Sequence, residues 1–493
     1  MAYLQNNKIF LVFLSAFLTG ISQHFQSLGF LSWFSLVPLF FVFIQIQSYK
    51  KIIKYSFLWG IIYNLISVYW IALNIGTNIY IGALSMIITV LILSVNTILI
   101  GVFWFKIKQL LNLNAIYALP VVWVSIEYLR SYGVLGFPWI SLANTQTAYF
   151  YLIQNSEYVG IYGISFWIVM VNVFVYKLIC QPTKKYLYRF LLTLILPFIS
   201  GFLILRNVQL FENNEFQASL IQRNINLDDK WNANLAKKNF DNLIAKTKTS
   251  INEGSKLIIW PESALPSQYG SNHSNIKALF KENNVHLLLG DVTRDNDKLY
   301  NSSVLLNKDG VKQIYNKKQL VPMGEYVPFS KYIKILQNIN LGQGNFSSGI
   351  DDVIFNIDNN TFSSLICFES TFPDINRIHA KKGADFFVYL VNDGWYTTIP
   401  EPRQHAKQSI YRAIENRRSV LRCANTGLSM VVSPLGEILN QTQLNKEDRI
   451  TTFISRTNTI TFYTKYGNVF AYLMLLITMI LLFYSIYRNE KNN

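Results

Sequence analysis

Long apolar runs dominate the first 206 residues of the chain. Seven stretches, roughly 8–24, 30–47, 53–75, 80–105, 115–130, 157–179 and 189–205, are separated by short polar breaks, and an eighth covers about 466–487. Most approach the ~20 residues that a helix needs to cross the hydrocarbon core of a bilayer, so they predict membrane spans; the first and fifth are short enough to be tilted, re-entrant or enclosed in a bundle. The first run has the outline of a signal peptide, but no small-x-small cleavage site precedes the next span, which makes it a retained helix.

From residue 216 the pattern changes to short β-branched or apolar runs between amphipathic stretches. Strands are predicted at Phe216 to Gln222, Lys256 to Trp260, Val285 to Asp291, Ser302 to Leu306, Val311 to Tyr315, Thr361 to Cys367, Phe386 to Asn392 and Ser429 to Ser433. Several are apolar throughout, the mark of strands covered on both faces. Helices are predicted at Trp231 to Asn252, Asn275 to Glu282, Pro373 to Lys382 and Pro402 to Arg422. Strands interleaved with helices imply an α/β layered domain. The expected division is a helical membrane domain over 1–206, an α/β domain over 207–465, and a last span with its tail over 466–493.

The composition, 51% hydrophobic over 493 residues, agrees with a membrane protein. Charge sets the orientation. Lys8, Lys50, Lys51, Lys54, Lys106, Lys108, Lys177, Lys184, Lys185, Arg189, Arg488 and Lys491 fall on one side of the alternating loops, while the other side carries Arg130 and Arg206. By the positive-inside rule the first side is cytoplasmic, so both termini are inside and the polar domain is outside. The net charge of +16 divides unevenly: 207–465 holds thirty basic and twenty-five acidic residues, and the remainder fourteen and three. Most of the excess is therefore a topology signal, and no basic stripe with interleaved aromatics points to nucleic acid. Three cysteines make no disulfide framework; Cys423 reads as a buried small residue and Cys367 as a free thiol.

Three segments of the polar domain end a strand on a reactive side chain: Glu262 after Leu257-Ile258-Ile259-Trp260-Pro261, Lys317 after Ile314-Tyr315-Asn316, and Cys367 after Leu365-Ile366. Strand ends in layered α/β domains converge on one crevice, so the three can meet. A thiol becomes a strong nucleophile beside a base, Glu262 can take its proton, and Lys317 can neutralise an oxyanion. Singly, each also has an ordinary reading: a surface carboxylate, a solvated lysine pair, a packed cysteine.

Together with their neighbours the segments resemble the nitrilase superfamily, in the form of its membrane-bound branch, the apolipoprotein N-acyltransferases. The resemblance rests on Trp260-Pro261-Glu262-Ser263, on Tyr315-Asn316-Lys317 with Leu320 to Pro328, and on Ile366-Cys367-Phe368-Glu369. Gln222 to Asn224 with Lys230-Trp231, Asn392-Asp393-Gly394-Trp395, Gln404-His405, Asn425-Thr426-Gly427, Gly136 to Trp139 and Gly160 to Gly163 agree with it. It implies an αββα nitrilase-like domain on the periplasmic face of a bacterial inner membrane. It further implies Glu262 as general base, Lys317 as oxyanion stabiliser and Cys367 as acyl acceptor, with Glu325 and Glu369 as supporting acids and Trp231 and Trp395 as aromatics near the site. The implied partners are a phospholipid acyl donor, phosphatidylethanolamine at its sn-1 chain, and a diacylglyceryl apolipoprotein acceptor, with no cofactor, no metal and a monomeric enzyme. Phe368 stands where the family often has Tyr.

Other features take plain readings. Gly342-Gln343-Gly344 lacks the strand-to-helix context of a phosphate loop, and the histidines at 24, 273, 286, 379 and 405 show no metal-ligand spacing. Trp33, Trp59, Trp70, Trp104, Trp123 and Trp139 are expected in an interfacial belt. Two alternatives to acyl transfer are a membrane-bound carbon-nitrogen hydrolase, in which water replaces the amine, and a lipid-binding or transport scaffold. Retention of all three reactive residues and the lack of charge at mid-span weigh against the scaffold.

Overall fold

The computed structural model describes residues 7–230, 232–265, 276, 285–330, 332, 334, 345–396 and 399–492. The chain divides into two units, Met1–Asn207 with Tyr466–Asn493, and Val208–Lys465.

The first unit is helical. Among the described residues, six stretches are long and apolar enough to cross a membrane: Gln26–Gln45, Tyr49–Leu73, Ile79–Leu129, Ser156–Cys180, Lys184–Arg206 and Val469–Arg488; Lys8–Ser22 is a shorter apolar helix. Ile79–Leu129 holds two expected spans in succession, joined by the 3₁₀ segment Asn112–Ala118. Its reversal starts at Asn112, whose φ of +51° is uncommon for a residue other than glycine. Some buried polar groups of this unit find partners inside it, as a bilayer favours: Asn172 accepts from Leu36 N at 2.8 Å and donates to Ser32 O at 2.7 Å, and one oxygen of Glu127 accepts from Leu142 N at 2.9 Å. Five of the six tryptophans expected in the belt are enclosed by protein. Trp59 and Trp104 are fully buried and donate to Ser15 Oγ at 2.9 Å and Ala115 O at 2.8 Å, and Trp70, Trp123 and Trp139 are buried too. Each covers a large apolar surface inside the unit and, for the first two, places its single N–H on a partner there.

The second unit is a sandwich of two six-stranded sheets. Its strands are β1 (Phe211–Gln222), β2 (Leu257–Ile259), β3 (His286–Asp295), β4 (Lys298–Asn307), β5 (Gly310–Asn316), β6 (Phe355–Ile357), β7 (Asn360–Ile366), β8 (Phe386–Val391), β9 (Ser419–Ala424), β10 (Met430–Val432), β11 (Ile438–Gln441) and β12 (Asp448–Arg456). They are ordered β12-β1-β2-β3-β4-β5 and β11-β10-β9-β8-β7-β6. The central trios β1/β2/β3 and β7/β8/β9 are parallel, and antiparallel pairs extend each sheet. Parallel strands need both faces covered. Helix Ala233–Asn252 covers one sheet through Phe240 and Leu243, packed with Ile221, Ile258, Leu287 and Leu289. Helix Glu401–Asn416 packs on β9 and β10 of the other. Between the sheets, Ser303 and Ser364 hydroxyls meet at 2.7 Å, and Cys423 Sγ faces Ile221 O and Ile259 O. Cys423 is a buried filler whose thiol burial pushes up to about 12. The layers are those of an αββα nitrilase-like fold.

One predicted element is corrected. The run from Pro402 to Arg422 is not a single helix: it ends at Asn416, Arg417 turns left-handed at φ 50° and ψ 52°, and β9 starts at Ser419. Glycine usually marks such a stop; here arginine occupies the position, so no break shows in the pattern. The helix predicted at Asn275 to Glu282 (apart from Ile276), Trp231, His273 and Gly342-Gln343-Gly344 lie outside the described residues.

Candidate active site

Glu262 is held just past β2 by the neighbouring strand. Trp260 N donates to Leu288 O at 2.8 Å, Gly290 N to Pro261 O at 3.2 Å and Ala264 N to Gly290 O at 2.8 Å, while Ser263 turns the chain with φ +47°. The approach leaves no room at Gly290: a Cβ there would lie 2.5 Å from Glu262 Cα and 2.8 Å from Pro261 O, both backbone atoms. Gly290→Ala is therefore expected to destabilise by about 1–3 kcal/mol and to displace Glu262. Thermal unfolding beside turnover checks it: activity should fall further than the lost folded fraction explains.

Lys317 immediately follows β5, with its N–H on Asn301 O at 2.9 Å and its carbonyl accepting from Gly349 N at 2.8 Å. Its side chain is 1% exposed, and Nζ lies 2.9 Å from Glu325 Oε1 and 3.8 Å from Glu262 Oε1. Asn301 Nδ2 donates to both of those oxygens, at 2.7 Å to Glu262 and 2.8 Å to Glu325. Val321 N donates to the other oxygen of Glu325 at 2.8 Å, which fixes that carboxylate against its own loop. Burial opposes a charge on Lys317, but Glu325, then Glu262, then Cys367 outweigh it and hold the ammonium above its ordinary range.

Cys367 opens the 3₁₀ turn Cys367–Thr371 at the end of β7, with a left-handed φ of +51°. A non-glycine residue keeps that conformation only when its surroundings determine it. Here Ser370 Oγ donates to Cys367 O at 2.8 Å, His405 Nε2 lies 3.1 Å from the same carbonyl, and Ile366 N donates to Glu369 Oε2 at 2.8 Å. The second oxygen of Glu369 accepts from Tyr315 Oη at 2.7 Å, Lys318 N at 2.8 Å and Gln319 N at 3.1 Å. Fully buried, Glu369 thus ties the lysine segment to the cysteine turn; burial raises its pKa and these donors pull against that rise. Burial pushes the Cys367 thiol well above its usual value, Glu262 adds to the rise and Lys317 opposes it. These influences together favour the thiol form of Cys367 over the thiolate.

Comparison with known proteins follows this division of the chain. The family model for the apolipoprotein N-acyltransferase N-terminal domain matches residues 15–174, and that for carbon-nitrogen hydrolase matches 217–462. The chain belongs to the apolipoprotein N-acyltransferase family. The apolipoprotein N-acyltransferase of Geobacter metallireducens is 29% identical over 93% of this chain and 92% of its own, and that of Chlorobaculum tepidum 27% over 94% of each. A solved nitrilase-superfamily structure from Saccharomyces cerevisiae, of branch 10, aligns with 48% of this chain and 89% of its own at 19% identity and a TM-score of 0.37.

In this member of the apolipoprotein N-acyltransferase family a buried charge cluster backs the cysteine turn. His405 Nδ1 is 2.8 Å from Asp393 Oδ1, and Arg422 Nη2 donates to Asp393 Oδ2 at 2.8 Å. Burial works against the Asp393 charge, but Arg422 and His405 hold its carboxyl below the usual range. Glu401 lies 3.9 Å from His405, and burial with the Asp393 charge raises its pKa well above normal. Asp393, Glu401 and His405 could reach a common ion. Arg422, however, already supplies the countercharge of Asp393, and His405 Nε2 is engaged by Cys367 O and Ser370 Oγ. The cluster reads as support for the turn. Gly427, at φ +99°, is required beside it, since a Cβ would meet Asp393 Oδ2 at 2.3 Å. Trp395 is half-buried in the turn Asp393–Trp395, and Phe368 packs edge-on to Phe372 at 5.0 Å. Sequence reasoning missed Asn301, which no motif marks, and missed that Asp393, His405 and Arg422 form one set.

Proposed function

We propose that the protein moves one acyl chain from a membrane phospholipid to the α-amine of a diacylglyceryl-cysteine at a lipoprotein N-terminus, through a thioester on Cys367. The observation that carries this reading is the buried pairing of Lys317 with Glu262 and Glu325 beside the Cys367 turn, in a chain of this family. In the first step Glu262 takes the thiol proton as Sγ attacks the sn-1 ester carbonyl, phosphatidylethanolamine being the expected donor. The C–S bond forms, the C–O bond breaks, and Glu262 returns the proton to the leaving alkoxide, releasing lysophospholipid. In the second step the neutral amine attacks the thioester carbonyl and Glu262 accepts its proton; the C–N bond forms, the C–S bond breaks, and Glu262 passes that proton to the departing thiolate, which regenerates the thiol. Lys317 faces the oxyanion of both tetrahedral intermediates. The charge distribution of the loops supports a catalytic unit on the periplasmic side of the inner membrane with both termini cytoplasmic.

Product analysis tests this. The full-length protein in phospholipid vesicles is given a diacylglyceryl-cysteine peptide, and the masses of peptide and lipid are followed. The expected result is a peptide heavier by one acyl chain for each lysophospholipid formed, with none from Cys367→Ala. Fatty acid released to water at the same rate with or without peptide would instead favour the carbon-nitrogen hydrolase.

A further inference from the structure

Arg223 is a buried cation that the mechanism above leaves unused. It follows β1, whose parallel pairing with β2 ends at Leu220 and Ile259, so Arg223 leaves β1 at the same end of the sheet at which Glu262 leaves β2. It is 7% exposed; Nη1 donates to Ala264 O, two residues beyond Glu262, and Nε is buried with no hydrogen-bond partner. Glu447, the acidic group whose charge reaches it, is paired with Lys246 at 3.4 Å instead. Burial lowers Arg223 to about 10, which still leaves it cationic at neutral pH. A buried guanidinium with an unspent donor and no ion-pair partner among the described residues is strongly unfavourable unless something anionic completes it.

The surroundings place it at the crevice. Asn224 N donates to Asn425 O at 2.7 Å, and Asn425 Nδ2 donates to Ile225 O at 2.8 Å and Asn392 Oδ1 at 3.1 Å. These bonds join the exit of β1 to the exits of β8 and β9, and β8 runs beside the strand that delivers Cys367. Of the two substrates in the proposed reaction, the phospholipid carries an anionic phosphodiester, while the diacylglyceryl-cysteine end of the acceptor presents an amine and neutral esters. A guanidinium matches phosphate oxygens in charge and fork geometry.

We propose that Arg223 receives the phosphodiester of the acyl donor, so that it serves acylation of Cys367 and not the later attack by the amine. The inference rests on the function proposed above. Its test separates the two half-reactions in the full-length protein. Acylation of Cys367 by phosphatidylethanolamine and by phosphate-free dioleoylglycerol is timed by intact mass, and pre-formed acyl-enzyme is then chased with diacylglyceryl peptide. Arg223→Ala should lower kcat/KM for the phospholipid about 10- to 100-fold, the loss expected for one charge-assisted hydrogen bond. Acylation by dioleoylglycerol and the chase by peptide should stay within about twofold of wild type, and Arg223→Lys should recover part of the loss. Equal slowing of both half-reactions would overturn the proposal and leave Arg223 as a prop for the Glu262 segment, because Glu262 serves in both. No slowing of either would also overturn it. Failure of the wild type to form any acyl adduct would instead remove the functional reading beneath it.

Discussion

Glu262→Gln is expected to slow acylation of Cys367 by phospholipid about 10²–10⁴-fold, the usual worth of a positioned general base, while making the same thiol easier to ionise. The two effects have opposite signs for one reason each. The Glu262 charge is among the groups that push the Cys367 thiol up, second to burial, so a neutral glutamine lets its pKa fall. Alkylation by iodoacetamide needs only a thiolate, and should therefore proceed at lower pH in the variant than in wild type. Ester attack also needs a proton for the leaving alkoxide, which glutamine cannot supply. A pH profile of alkylation beside a single-turnover acylation rate checks both halves. Parallel loss of both would mean that Glu262 only maintains the fold.

Lys317→Met should cost about 10²–10³-fold in acyl transfer through loss of oxyanion stabilisation, and should move the thiol the other way. Lys317 is the group that lowers the Cys367 pKa, so its removal makes alkylation slower and shifts the profile to higher pH. The variant also leaves Glu262 and Glu325 sharing Asn301 without their cation. An uncompensated buried charge of this kind destabilises by about 3–5 kcal/mol. Adding Glu325→Gln to Lys317→Met should recover part of that stability, read by thermal unfolding, with no recovery of transfer. Recovery of transfer with stability would assign Lys317 a purely structural role.

The parts of the fold that were legible share a physical cause. Leu257-Ile258-Ile259-Trp260 and Phe386 to Val391 are buried on both faces, so their apolar runs announce central parallel strands. Two of the edge strands give no such signal: β11 is exposed along its length and β12 alternates irregularly, so neither is predicted. β9 was absorbed into the helix before it because Val420 and Leu421 continue the helical spacing and Arg417 makes the left-handed stop without glycine. In the membrane unit the apolar runs found the helices, but run length cannot tell a lipid-facing tryptophan from an enclosed one, and Trp59 and Trp104 are enclosed.

At the site, Glu262, Lys317 and Cys367 could be named because each closes a strand on a reactive group. What surrounds them is a matter of three-dimensional contact. Asn301 sits in the middle of β4 with no motif around it, yet it bonds both carboxylates that flank Lys317. Glu369 was implied only as a supporting acid; its contacts with Ile366 N, Tyr315 Oη, Lys318 N and Gln319 N make it the brace between the lysine segment and the cysteine turn. His405 and Arg422 stand seventeen positions apart in the chain and meet at Asp393.

The intact mass of the full-length protein, taken after mixing with phosphatidylethanolamine vesicles and without any acceptor, tests the thioester most directly. The expected spectrum shows one added acyl chain, mapped to Cys367, absent from Cys367→Ala and lost on addition of diacylglyceryl peptide at the rate at which N-acyl peptide forms. Transfer to the peptide by Cys367→Ala at the wild-type rate, or with no adduct ever detectable on Cys367, would contradict it.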